Sequence, residues 1–149
     1  MDANQLLERY LELFVNSQGE LSESLINELV ADDYRFADPF NSICGRKALA
    51  ALLAKTRREV KQANFAIEYR QRLVADAGPV RWLVKWHFTG QVAVVGRLDF
   101  VGLSEIEIAG DGRVASHIDY WDAAAGFYAR VPLLGTLIGL AGRAAKLPD

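Results

Sequence analysis

The chain has 149 residues, with 17 Lys and Arg against 19 Asp and Glu and a formal net charge of −2. A single domain of this size buries about 68–70% of its unfolded surface, so a real hydrophobic core is available. With 51% hydrophobic and 24% charged residues the composition is globular rather than collagen-like or disordered. The one Cys44 excludes a disulfide framework or a multi-cysteine zinc site. The near-neutral charge argues against a nucleic-acid binder, which needs a basic face. The polar start Met1 to Gln5 is unlike a targeting signal, and the longest uncharged run, Val131 to Gly142, is too short for a transmembrane span, so a cytoplasmic location is expected.

A first helix is predicted after a cap at Asn4, from the helical spacing of Leu7, Tyr10, Leu11 and Phe14, and it stops near Asn16. A short second helix carries Leu25, Ile26, Leu29 and Val30 and gives way to a strand, Tyr34 to Asp38, closed by Pro39. A third helix opens after Gly45, with Ala48, Leu49, Leu52, Leu53 and Val60 as its buried stripe. Arg46, Lys47, Lys55, Arg57, Arg58 and Lys61 make a basic face expected to be solvated. From Asn64 the period becomes two. Phe65, Ile67 and Tyr69 alternate with polar neighbours up to the break at Asp76-Ala77-Gly78-Pro79. Val80, Trp82, Val84, Trp86 and Phe88 then form one apolar row of a long strand. A further strand, Leu98 to Ala109, reaches a tight turn at Gly110-Asp111-Gly112, and a last strand, Arg113 to Asp122, leads into a helical segment broken near Pro132. Residues 1–149 thus read as one α+β domain, a cone-shaped curved antiparallel or mixed sheet wrapped around the N-terminal helices and enclosing a cavity. The leucine-rich stretch from Val131 is expected to cover the mouth of the cone.

No phosphate-binding glycine loop, nucleophile elbow or calcium loop occurs, and His87 and His117 stand too far apart for a simple metal motif. No cofactor and no metal are therefore expected.

Arg9-Tyr10, the run Val30 to Pro39, the turn Gly110 to Val114 and Asp119-Tyr120-Trp121 resemble the nuclear-transport-factor-two-like superfamily, in its ketosteroid isomerase and SnoaL-like polyketide cyclase branches, with a cystatin-like fold. The resemblance implies an acid/base catalyst without cofactor, acting on a hydrophobic carbonyl compound, or a binding or interaction module on the same fold. It maps the isomerase's general base onto Asp38 and its oxyanion donors onto Tyr10 and, with a departure from the acid expected there, Ser104. Asp38 shares a strand face with Tyr34 and Phe36, which would turn it into the cone. Asp119 with His117 is the rival pair, since SnoaL-like cyclases carry an Asp on the last strand. Plain alternation sends these two outward with Val114, Ile118 and Tyr120 inside, whereas the resemblance makes Trp121 a pocket wall and turns them inward. Phe36, Trp82, Trp86, Phe88 and Trp121 are the expected pocket. The expected partners are a small hydrophobic ligand and a second copy of the chain, docked through the convex face of the sheet near Leu83 and Val101.

Overall fold

The computed structural model describes residues 2–16, 18–73 and 78–146. Helix α1 (Ala3–Val15) is capped by Asp2, two residues before the predicted cap Asn4. Asp2 Oδ1 accepts the backbone N–H groups of Asn4 and Gln5, both at 2.9 Å, and the Gln5 side chain returns a bond to the Asp2 N–H. That reciprocal pairing satisfies donors which Asn4, already inside the first turn, could not reach. Helix α2 (Glu23–Leu29) is capped by Ser22, and α3 (Arg46–Glu59) follows Gly45. Two arginines of α3 depart from the expected solvated face. Arg57 donates to the carbonyls of Leu13, Asn16 and Gly19, at the end of α1 and just beyond it, and Arg46 to those of Asn27 and Val30 at the end of α2. The last carbonyls of a helix lack intrahelical partners, and a guanidinium offers five donors in a fixed fork.

Six strands form one curved, open, mixed sheet: β1 (Val30–Ala37), β2 (Ser42–Cys44), β3 (Lys61–Leu73), β4 (Val80–Val92), β5 (Gly96–Ile108) and β6 (Val114–Trp121). Their order is β2-β1-β6-β5-β4-β3. Every neighbouring pair is antiparallel except β1 and β6, which run parallel. The last strand therefore lies between the first strand and the β3–β5 meander. Leu6, Leu7, Tyr10 and Leu11 of α1 pack with Leu29, Leu49, Val84, Ile106 and Val114, all of them buried, so the helices fill the concave side. The opposite face leaves Tyr69, Val101 and Tyr120 exposed.

One irregularity decides which way β6 presents its side chains. Glu107 pairs with Ser116 but Ile108 pairs with Val114, so Ala115 is an extra residue opposite a continuous β5. Such a bulge resets the alternation. Val114 and His117, which plain alternation assigns to opposite faces, are both buried on the inner side, while Tyr120 is exposed.

Of the break at Asp76 to Pro79, Asp76 and Ala77 fall outside the described residues. Beyond β6 the chain forms a short α4 (Ala123–Gly126), a 3₁₀ turn (Tyr128–Arg130) and α5 (Leu134–Ala145). Here the expectation of a cover over the cone fails. Phe127 and Tyr128 stand at the cavity, but α5 buries none of its residues. Leu133, following Pro132, takes a left-handed conformation with φ 69°. Gly135 packs so tightly that a Cβ there would come within 2.2 Å of the Ala129 carbonyl oxygen. The chain is thus folded back on the 3₁₀ turn and not across the opening. No described helix is long and apolar enough to cross a membrane.

Candidate active site

The inward residues of β1 and β6 meet across their parallel pairing, Phe36 opposite His117. The His117 imidazole, 3% exposed, is ringed edge-on by Tyr10, Phe14 and Phe36. Its Nε2 lies 2.8 Å from Asp119 Oδ1, two residues along the same face, and its Nδ1 lies 2.8 Å from the Tyr10 hydroxyl. The Tyr10 hydroxyl in turn is 2.5 Å from that of Tyr34. From the other side the Trp86 indole N–H donates to Ser104 Oγ at 2.8 Å, and Ser104 donates to Asp119 Oδ1.

Donor and acceptor chemistry orders this line. A carboxylate only accepts and an indole N–H only donates. With the imidazole neutral, Nε2–H donates to Asp119, Nδ1 accepts from Tyr10, and Tyr10 accepts from Tyr34, so each of these groups finds a partner. Both phenols stay protonated. Burial pushes Tyr10 well above the ordinary tyrosine range, with Tyr34 and the Asp119 charge adding to the effect. Burial likewise raises Tyr34, outweighing the opposing effect of its hydrogen bond with Tyr10. All the bonds made to Asp119 converge on Oδ1, leaving Oδ2 without a protein partner among the described residues.

Asp119 lines a cavity of about 480 Å³ whose wall is mainly apolar and rich in aromatic rings, among them Phe14, Phe36, Trp86, Phe88, Phe100 and Trp121. Phe100 and Trp121 stack with centroids 4.3 Å apart. Asn41, Thr56 and Tyr128 add polar groups, and Lys55, Arg57 and Glu59 stand on the α3 side. Sequence reasoning passed over Gly102, which makes this wall possible. It pairs with both Trp86 and Trp121, and a Cβ on it would come within 2.2 Å of the Trp86 ring. The missing side chain lets the indole lie across β5, and a glycine inside a strand pattern is the signal for such a close approach.

The expected site residues divide into three groups. Asp38 and Asp119 both line the cavity, as do Phe36, Trp86, Phe88 and Trp121. Tyr10, His117 and Ser104 lie behind Asp119 and are not part of the wall. Trp82 belongs to the core away from the cavity, its indole N–H unpartnered among the described residues. Asp38 is also unlike Asp119 in its bonding. Its Oδ1 accepts the backbone N–H groups of Phe40 and Asn41, at 2.7 and 2.6 Å, and the Asn41 side-chain amide at 3.0 Å. That same amide lies 3.0 Å from Oδ2. This is an Asx-type turn that reverses the chain from β1 to β2. Among the described residues no three His, Cys, Asp or Glu side chains gather as a metal site, and Cys44 is exposed.

An open curved sheet closed over by N-terminal helices, with a polar line ending in one cavity carboxylate, defines a small α+β pocket protein. Residues 7–117 match the family model of the SnoaL-like domain, and the chain belongs to that family. Solved structures agree on the fold. A steroid delta-isomerase from Pseudomonas aeruginosa aligns with TM-score 0.57 and 21% identity, over 97% of this chain and 95% of that one. An LEH-like epoxide hydrolase of M. tuberculosis aligns with TM-score 0.60 and 18% identity over the same shares. A protein described as a polyketide cyclase, from Xanthomonas campestris, aligns with TM-score 0.62 and 16% identity, over 83% of this chain and 92% of that one. No curated protein matches the sequence.

Proposed function

We propose that the protein is an acid/base catalyst, working without metal or nucleotide cofactor on a hydrophobic carbonyl compound, and that Asp119 is its base. The observation carrying this reading is the one-sided bonding of Asp119: Oδ1 is tied to Ser104 and His117 while the residue forms part of an apolar, aromatic wall. Fixing one oxygen orients the other, and general-base catalysis needs an oriented acceptor. In the reaction proposed, the free carboxylate oxygen takes the proton from a carbon beside the carbonyl. The C–H electron pair moves toward the carbonyl oxygen as an enolate. The carboxyl then returns the proton to the same or a conjugated carbon. Tyr128 or Asn41, polar groups on the same wall, would steady the oxyanion. Tyr10, Tyr34 and Ser104 act as positioning residues in this reading, because their hydroxyls hold His117 and Asp119 and do not face the ligand.

That orientation also favours a second reading. With both oxyanion donors implied by the resemblance turned away from the cavity, the pocket would bind a flat apolar ligand without turnover. Incubating the protein with a β,γ-unsaturated ketone in deuterium oxide separates the two. Deuterium entering the ketone, and not entering with Asp119→Asn, supports the catalyst. A ketone that quenches tryptophan fluorescence but gains no deuterium supports the binding module. The exposed Tyr69, Val101 and Tyr120 support a homodimer through the convex face.

A further inference from the structure

Helix α5 is where the apolar surface lacks an occupant. Leu133 before it is 87% exposed, and Leu137 and Leu140 within it are 64% and 55% exposed. At helical spacing Leu134, Leu137, Leu140 and Ala141 share one side, with Thr136 and Arg143 at its edge and Gly135 and Gly139 opposite. Between Asp122 and Asp149 the sequence has no acidic residue but has Arg130, Arg143 and Lys146, in a chain whose net charge is −2. Basic residues beside a leucine face are the composition of a helix that lies in a lipid interface.

A second copy of the chain fits this face less well. Twelve residues of helix make a stripe about 18 Å long and about 10 Å wide, an area of about 200 Å², well short of the roughly 800 Å² per partner of a standard protein interface. The glycines that would allow close helix packing are turned elsewhere. Gly135 is spent against Ala129 within the chain, and Gly139 and Gly142, off the leucine side, have no neighbour within 4 Å of a would-be Cβ.

We propose that α5 docks the protein on an anionic lipid surface, its leucines entering the acyl boundary and Arg130, Arg143 and Lys146 meeting phosphate headgroups. α5 packs on the 3₁₀ turn that holds Tyr128, and Tyr128 lines the cavity. Docking therefore brings the Tyr128 side of the cavity near the phase in which an apolar ligand dissolves.

The test is flotation of the full chain with vesicles of phosphatidylcholine alone and with phosphatidylglycerol added. Binding that requires phosphatidylglycerol, weakens with salt, and falls about tenfold or more in Leu137→Ser/Leu140→Ser is the expected result. Because both leucines are exposed, the double variant should melt like the parent, and equal melting keeps the comparison valid. No flotation with either vesicle, or flotation unchanged in the double variant, overturns the proposal. So does concentration-dependent self-association in sedimentation that the same two substitutions abolish, since that gives the leucine face to a second copy.

Discussion

Asp38 and Asp119 stand near the ends of neighbouring strands and both border the same cavity, yet their surroundings prepare them for different work. The Asp38 carboxylate is wrapped by the N–H groups of its own turn, so its lone pairs are spent on reversing the chain. Asp119 receives two bonds on one oxygen, from Ser104 on the neighbouring β5 and from His117 two residues back on its own strand. Position and residue type are shared. What differs is which lone pairs remain open, and that separates a turn-former from a candidate base.

Exchanging the two carboxylates for amides breaks or confirms this contrast most sharply. Asp119→Asn keeps an acceptor at Oδ1 and should cut deuterium exchange into the ketone by about 10²–10⁴-fold, the range for a lost general base. Asp38→Asn should leave exchange within a few-fold and lower stability by about 1 kcal/mol, read from a denaturant melt, as a weakened turn would. The reverse pattern would move the base to the end of β1.

Gly102→Ala attacks the wall and leaves both carboxylates in place. The added methyl should push the Trp86 indole off Ser104, costing about 1–3 kcal/mol and altering tryptophan emission. An unchanged melt and spectrum would mean that the ring has room to spare.

Tyr10→Phe removes the middle of the polar line, stranding the Tyr34 hydroxyl and His117 Nδ1 away from water, at a cost of about 1–3 kcal/mol. Exchange activity should fall less than with Asp119→Asn, because the residue orients the base and does not replace it.

The smallest effect concerns alkali. Tyr10 and Tyr34 both have folded-state values raised above the unperturbed value near 10. Below about pH 10 both states keep these protons and the full stability is present. Above it the unfolded chain sheds protons that the folded chain retains, so stability falls as pH rises. Denaturant melts on either side of that pH should show the decline, and Tyr34→Phe should flatten it. A decline of equal slope in the variant would assign the effect to other groups.

Much of the fold was legible because burial follows period. The stripe of α1 and the row of Trp82, Val84, Trp86 and Phe88 both read directly as inward faces. The site was legible only in part, for local reasons. The bulge at Ala115 shifts the frame of β6, and alternation has no means of registering an extra residue that depends on the partner strand. Trp82 and Trp86 share one row, but the row runs the length of a 13-residue strand and only one stretch of it borders the cavity. The short β2 is too brief to carry a pattern of its own. Parallel pairing of β1 with β6 is a long-range fact without a local signature. The turn at Asp38-Pro39-Phe40-Asn41 could have been read as it stands, since Asp followed by Pro and Asn is strong turn chemistry.

The bond between Tyr10 and His117 joins residues 107 positions apart, and it is closed by β6, the last in chain order of the six strands described. Until β6 slides between β1 and β5, both of those strands expose a bare edge, and two phenols await an imidazole that has not yet been made. Folding should accordingly be slow in its final step, with the edges of β1 and β5 open to edge-to-edge aggregation until β6 has docked. A chain that stops before β6 would carry α1 to α3, the meander and Asp38 but lack Asp119, His117 and the strand that joins the two parts of the sheet, so the proton-handling centre also marks completion of the sheet.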